Sequence, residues 1–199
     1  NASMQKVNSE KTYSYGASAG YSNLKLMQEI LNYNTNFSEA PSGFNGDANF
    51  RIKTKSGGFL KYYGLFNSNV MGVKTPSFEP DYNYSSVHLK GANTFHTLSY
   101  RQKFGRYLLN LGSSYTFNLS ELNFSTENNG ISNGETRMIN DGNYLNFKAV
   151  LERKINRISA VRGGFELNHS KENLSVENIH KNYSDLISSA FVETDLGFS

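Results

Sequence analysis

Residues 109–119 read LNLGSSYTFNL. Leu109, Leu111, Tyr115, Phe117 and Leu119 hold odd positions, while Asn110, Gly112, Ser114, Thr116 and Asn118 hold even ones. Successive side chains of an extended chain point to opposite faces, so this segment has one apolar and one polar face as a strand. Wound as a helix, the same residues would scatter both sets around the axis. The segment predicts a β-strand that meets apolar surroundings on one side only.

Working outward, the alternation recurs. Ala48, Phe50 and Ile52 oppose Asn49, Arg51 and Lys53, and Leu60, Tyr62, Gly64 and Phe66 oppose Lys61 and Tyr63, with Leu65 breaking the pattern. Leu145, Phe147, Ala149 and Leu151 oppose Asn146, Lys148 and Glu152. Val161, Gly163, Phe165 and Leu167 oppose Arg162, Gly164, Glu166 and Asn168, and Ala190, Val192, Leu196 and Phe198 oppose Ser189, Glu193 and Asp195. Nearer the start, residues 12–20 (TYSYGASAG) read as a short strand. Residues 22–32 carry the one helical pattern, with Leu24, Met27, Ile30 and Leu31 near a 3.6 period and Ser22 placed as a cap. A polar connector with Pro41, Gly43 and Gly46 follows over 34–46. The chain thus divides into 1–46 (strand, short helix, connector) and 47–199 (antiparallel strands), with seven or eight strands expected in all.

The joints decide between a soluble sandwich and a membrane barrel. Ser56-Gly57-Gly58, Gly105-Arg106 and Asn156-Arg157 predict tight turns, because Gly supplies the positive φ that short hairpins require. The alternate joints, 72–86, 120–142 and 170–185, read as long polar loops. Short turns at one end and long loops at the other are the asymmetry of outer-membrane barrels, whereas connections in compact domains have a median of about 4–6 residues. The segments also run to a dozen residues or more, while soluble strands cluster near about 5–6 and a tilted spanning strand needs about 9–11.

Composition agrees. Hydrophobic residues are 37% yet aromatics reach 14%, with 13 Tyr and 14 Phe. Few aliphatics and many aromatics suit strands that are apolar on one face and ringed by Tyr and Phe at an interface. A net charge of +3, without basic clusters, gives no footprint for nucleic acid. There is no cysteine, hence no disulfide, thiol nucleophile or cysteine zinc site. No apolar run approaches the roughly 18 residues of a spanning helix, so any crossing falls to strands.

The run Gly20-Tyr21-Ser22-Asn23-Leu24, then the Pro/Gly connector, Phe50-Arg51-Ile52-Lys53-Thr54-Lys55, a Gly turn and Leu60-Lys61-Tyr62-Tyr63 resembles the barrel of TonB-dependent outer-membrane receptors. Residues 187–198 (ISSAFVETDLGF) are similar to a late strand of those barrels. The resemblance implies a bacterial outer-membrane location and nutrient uptake through a barrel of about 22 strands closed by a plug. It further implies outer-membrane lipid, the remaining barrel and plug, the TonB complex and a surface lipoprotein as partners. Seven or eight strands are too few for such a barrel, and no plug or TonB-contacting segment is seen. The chain is therefore expected to be part of a larger receptor, its ends falling in mid-pattern. The alternatives are a small complete eight-stranded barrel with an adhesion or structural role, and a soluble β-sandwich that binds carbohydrate.

No catalytic residues, metal site or cofactor are expected. His88, His96, His169 and His180 share no HxH or HExxH spacing. Glu152, Glu166, Glu193 and Asp195 fall on polar faces with Lys148, Lys154 and Arg162. That pattern fits a water-filled lumen lined by cross-strand charge pairs better than two converging catalytic carboxyls. The Asn-x-Ser matches at Asn36, Asn83, Asn118, Asn168 and Asn182 follow from the abundance of both residues. Gly57-Gly58 reads as a turn and Gly163-Gly164 as strand packing. One ligand-binding candidate remains, the loop SFEPDYNY at 77–84. There Phe78, Tyr82 and Tyr84 with Glu79 and Asp81 offer rings and carboxylates to a sugar or chelate, or an aromatic belt to the interface.

Overall fold

A computed structural model describes residues 1–31, 36–78, 83–129, 131–156 and 159–196. Nine strands make one antiparallel meander, each pairing with its sequence neighbours: β1 (Ala2–Val7), β2 (Tyr13–Asn23), β3 (Phe37–Lys53), β4 (Phe59–Pro76), β5 (Tyr84–Phe104), β6 (Tyr107–Asn128), β7 (Ile131–Lys154), β8 (Ala160–Val176) and β9 (Ile179–Asp195). The expected all-β antiparallel class is what forms. The sheet is open, since β1 and β9 each pair on one side only. Among the described residues one helix, α1 (Lys25–Leu31), lies between β2 and β3 and starts later than its sequence pattern predicts, with Asn32 outside the described residues. Asn23 caps it, its side-chain oxygen accepting from Lys25 N–H at 2.8 Å.

The predicted turns and loops part company. Thr54–Gly58 and Gly105 do turn tightly at one end of the sheet, and at the third joint Ile155 N–H donates to Ser159 O at 3.0 Å. Gly57 and Gly105 adopt φ of +83° and +57°. Gln102, only 3% exposed, clamps the first of these turns: its Oε1 accepts from Ser56 Oγ at 2.9 Å and its Nε2 donates to Ser56 O at 2.9 Å. Of the third turn, Arg157 lies outside the described residues, while Asn156 Oδ1 accepts from Ser159 N–H at 2.6 Å. The long loops expected at 120–142 and 170–185 are instead strand up to a short turn, and the one expected at 72–86 is strand as far as Pro76 and again from Tyr84. β6 pairs with β7 as far as Asn128↔Ile131, and β8 with β9 as far as Val176↔Ile179. The connector expected at 34–46 is likewise largely strand, because β3 begins at Phe37. The strand count rises to nine for the same reason and because β1 precedes the 13–23 strand.

A Cβ at Gly105 would meet nothing within 4 Å, so its constraint is conformational alone. Gly105→Val should destabilise the β5–β6 hairpin by about 1–2 kcal/mol, the usual penalty of a side chain in the left-handed region. The measurement is the shift of the urea unfolding midpoint, with Gly112→Ala, inside β6, as the reference substitution.

Register fixes which residues share a face. One face carries Tyr15, Phe50, Tyr62, Leu98, Ser113, Phe147 and Leu167 as a single row across seven strands. Leu60, Tyr100, Leu111, Ala149 and Phe165 form the next row, and Leu109, Leu151 and Gly163 the one beyond. All eight positions expected to share the apolar side (Leu109, Leu111, Phe117, Phe147, Leu151, Val161, Phe165 and Leu167) do so. From Leu109 to Leu119 this band runs roughly 33 Å along β6, or about 25 Å in height at a tilt near 40°.

Nothing covers the band. Among the described residues no hydrophobic side chain is buried, and Leu98, Leu145, Leu151 and Phe165 are more than two-fifths exposed. The accessible surface is 14061 Å², against about 9,400 Å² expected for a compact monomer of 22.3 kDa. Sheet hydrogen bonds hold the strands in register while the apolar side chains await another phase.

Candidate functional site: the polar face

The opposite face divides by height. Near the tight turns it is charged. Lys148 Nζ lies 3.2 Å from Glu166, and Arg162 reaches both Glu193 at 2.8 Å and Asp195 at 2.6 Å, tying β8 to β9. Asn146 bonds to Glu166 at 3.2 Å and also to Asn168, while Tyr144 donates to Glu172 at 2.8 Å. Of the four acidic residues singled out in the sequence, Glu166, Glu193 and Asp195 thus face cations, and Glu152 is the register partner of Arg162. Arg162, Glu193 and Asp195 are all more than a third exposed, and pairs of this kind contribute at most about 1 kcal/mol each.

Beyond this zone the charges stop on β3–β7, while Glu172 and Lys181 continue them on β8 and β9. Asn45, Asn67, Asn93 and Asn118 stand side by side on β3, β4, β5 and β6, each paired in register with the next. All four are exposed, and none bonds to another side chain among the described residues. Gly43, Asn69, Gly91, Ser120 and Asn140 form the next row up. Above that come Met71, Leu89, Leu122 and Met138, again in register, and then Phe37, Val73, Val87 and Phe124. From Asn45 up to Phe37, this face of β3–β7 carries no charged side chain among the described residues.

The other face does the reverse at the same height. Lys90 and Glu121 are register partners there, Arg137 reaches Glu121 at 2.8 Å, and His88 lies 3.3 Å from Glu39. The two faces therefore exchange polarity above the band: apolar outside becomes charged, and polar inside becomes amide-lined and then apolar.

The aromatic–carboxylate loop is only partly described. Phe78 is fully exposed, and Tyr84 opens β5, where Lys74 Nζ sits 4.9 Å from its ring centroid while bonding Glu127 at 2.6 Å. Glu79, Asp81 and Tyr82 lie outside the described residues. The four His are dispersed: Tyr62 Oη lies 2.8 Å from His96 Nδ1, His169 reaches Asp185 O at 3.2 Å, and Ser175 bonds His180 at 2.8 Å. Among the described residues no three His, Asp or Glu gather as metal ligands, and no helix is long and apolar enough to cross a membrane.

No protein-family model and no curated protein matches this sequence. Among solved structures the chain is similar to the crystal structure of the ferric yersiniabactin uptake receptor FyuA from Yersinia pestis, with a TM-score of 0.55 and 9% identity. The match takes in 92% of this chain and 31% of that one, so the chain spans about a third of that receptor's length. At this identity the likeness is one of fold: a long-stranded antiparallel meander consistent with part of a β-barrel.

Proposed function

We propose that this chain is a section of the wall of a bacterial outer-membrane uptake receptor, working in transport rather than catalysis. The carrying observation is the nine-stranded sheet with a continuous apolar band on one face and no buried hydrophobic side chain. Such a sheet is stable only where the band meets another apolar phase, and a band about 25 Å high matches the hydrocarbon layer of an outer membrane. The apolar face then meets lipid and the paired charges of the polar face meet the aqueous lumen. A sandwich would need a second sheet over the band, and one sheet is all that the described residues form. Likeness to an uptake receptor supports solute import as the work of the whole barrel. Energised, TonB-dependent import, with a plug, the TonB complex and a surface lipoprotein as partners, is the finer form of this reading.

Leu145 and Asn146 are neighbours on opposite faces of β7. Spin labels at Leu145→Cys and Asn146→Cys, in the whole barrel inserted into membranes, should report opposite environments. Oxygen, concentrated in lipid, should relax the first label, and a water-soluble nickel chelate the second. Equal relaxation of both labels by the chelate would overturn the membrane wall.

A further inference from the structure

Resting on the uptake-barrel reading, we propose that the charge-free upper inner wall of β3–β7 is a binding site for a small, uncharged amphiphile. Its apolar body would lie on Met71, Leu89, Leu122 and Met138, and its hydrogen-bonding end on Asn67, Asn93 and Asn118.

The inversion of polarity is the starting point. Near the tight turns this face mixes Phe59, Leu65, Phe95 and Val150 with Lys61, Arg101 and Lys148, and a lumen wall that only met water would keep such charges to its rim. Instead, eight apolar side chains from five strands converge on one patch: Phe37, Val73, Val87 and Phe124, with Met71, Leu89, Leu122 and Met138. The outer face at that height carries Lys90, Glu121, Arg137 and His88, so it is already solvated. The apolar patch is therefore not a higher lipid band. The β6–β7 and β8–β9 joints beside it are short, with β6 ending at Asn128 and β7 starting at Ile131, and β8 ending at Val176 and β9 starting at Ile179.

The chemistry of the occupant follows from what lies beside the patch. An amide both donates and accepts and carries no charge, so a row of amides selects hydroxyl, amide or ester groups over ions. A charged solute would find no counter-ion among the described residues of this wall and would lose hydration against the apolar rows. Asn67 and Met71 are four residues apart on β4, roughly 13 Å along the strand, and neighbouring strands stand about 4.8 Å apart. A molecule about 10–15 Å long with one apolar and one hydroxylated end matches both strips at once. The flexible Met71 and Met138 side chains suit apolar bodies of varied shape.

The test uses octyl glucoside below its micelle concentration as the probe, with the whole barrel that contains this chain in lipid nanodiscs. The sequence has no cysteine, so a bimane label at Leu122→Cys is placed uniquely within it, and a second form carries the label at Ser113→Cys on the apolar face. The Leu122 label should be water-exposed alone and shift to the blue with saturation on adding octyl glucoside. Glucose should leave it unchanged, and octyl sulfate should need at least about tenfold more to reach half effect. Introducing Asn93→Asp and Asn118→Asp together should raise the half-effect concentration for octyl glucoside about tenfold. Three results overturn the proposal: an equal response to glucose, a non-saturating shift shared by both labels, or a Leu122 label already shielded because another part of the receptor covers the patch. Quenching by doxyl-labelled lipid separates this inference from its premise. If the Ser113 label is not quenched, the barrel reading fails; if it is quenched and Leu122 does not respond, the amphiphile site alone fails.

Discussion

Replacing Phe147 by Arg should destabilise the lipid-inserted fold by about 2–4 kcal/mol, while Arg at Ser114 should change it by less than about 1 kcal/mol. Phe147 lies on the apolar face near the middle of the band, between Ser113 on β6 and Leu167 on β8. A guanidinium there must either sit in hydrocarbon or stretch several rows to water, and the penalty is greatest at mid-height. Ser114 is one residue away from Ser113 but on the polar face, between Thr97 and Asn146, where an added charge stays hydrated. The measurement is urea unfolding, in lipid vesicles, of the whole barrel that contains this chain. A drop of this size shifts the folding equilibrium by roughly thirty- to a thousandfold. Equal tolerance of the two Arg substitutions would reject lipid contact. Phe147→Ala then separates lipid from a protein core. Fluid acyl chains fill the space left behind, so only the transfer term of the lost ring is felt, whereas a packed core would add a cavity term.

What the sequence discloses about this fold, and what it hides, have the same physical origin. Across 109–119 the alternation holds a single phase because one face meets one kind of environment, and the strand, its face and its partners were legible there. In β6 the apolar set then moves from odd positions at Leu119 to even ones at Leu122 and Phe124. β5 makes the matching move between Leu89 and Leu98, β4 between Phe66 and Met71, and β8 between Leu167 and Leu174. A reading that follows one phase sees the pattern dissolve at these points and takes the remainder for polar loop. The strands in fact continue, because the backbone ladder does not depend on which face is apolar. The same phase change, recurring at one height in neighbouring strands, was the available signal for the upper inner wall. Recognising it requires the register, which brings Asn45, Asn67, Asn93 and Asn118 together from positions 22 to 26 residues apart. The aromatic–carboxylate loop drew attention by composition alone. Of its five ring and carboxylate candidates the structure describes Phe78 and Tyr84, and it places Tyr84 beside Lys74 and Glu127 as part of the sheet.

Residues 1–199 produced alone should fail to form a monomeric, heat-modifiable β species, and should associate through their edges. The outer edges of β1 and β9 offer backbone N–H and C=O groups without partners, and β9 alone is 17 residues long. Water satisfies such groups, but hydrocarbon does not, and each one left unpaired there costs several kcal/mol. Pairing β1 with β9 is the only way this sheet could remove both edges by itself, and its topology works against that. In a meander every strand reverses the one before, so the first and ninth run in the same direction. Their seam would be parallel within an otherwise antiparallel wall, and β1 has only six residues to set against seventeen. Further strands supply antiparallel partners to both edges without that conflict, as a larger barrel would. The experiment is refolding of the 199-residue chain in detergent micelles, followed by sizing and by electrophoresis with and without boiling. Edge-to-edge aggregation, relieved when additional barrel strands are present on the same chain, is the expected result. A compact monomer whose mobility changes on boiling would mean that β1 and β9 do meet, and the wall-section reading would give way to a small self-closed barrel.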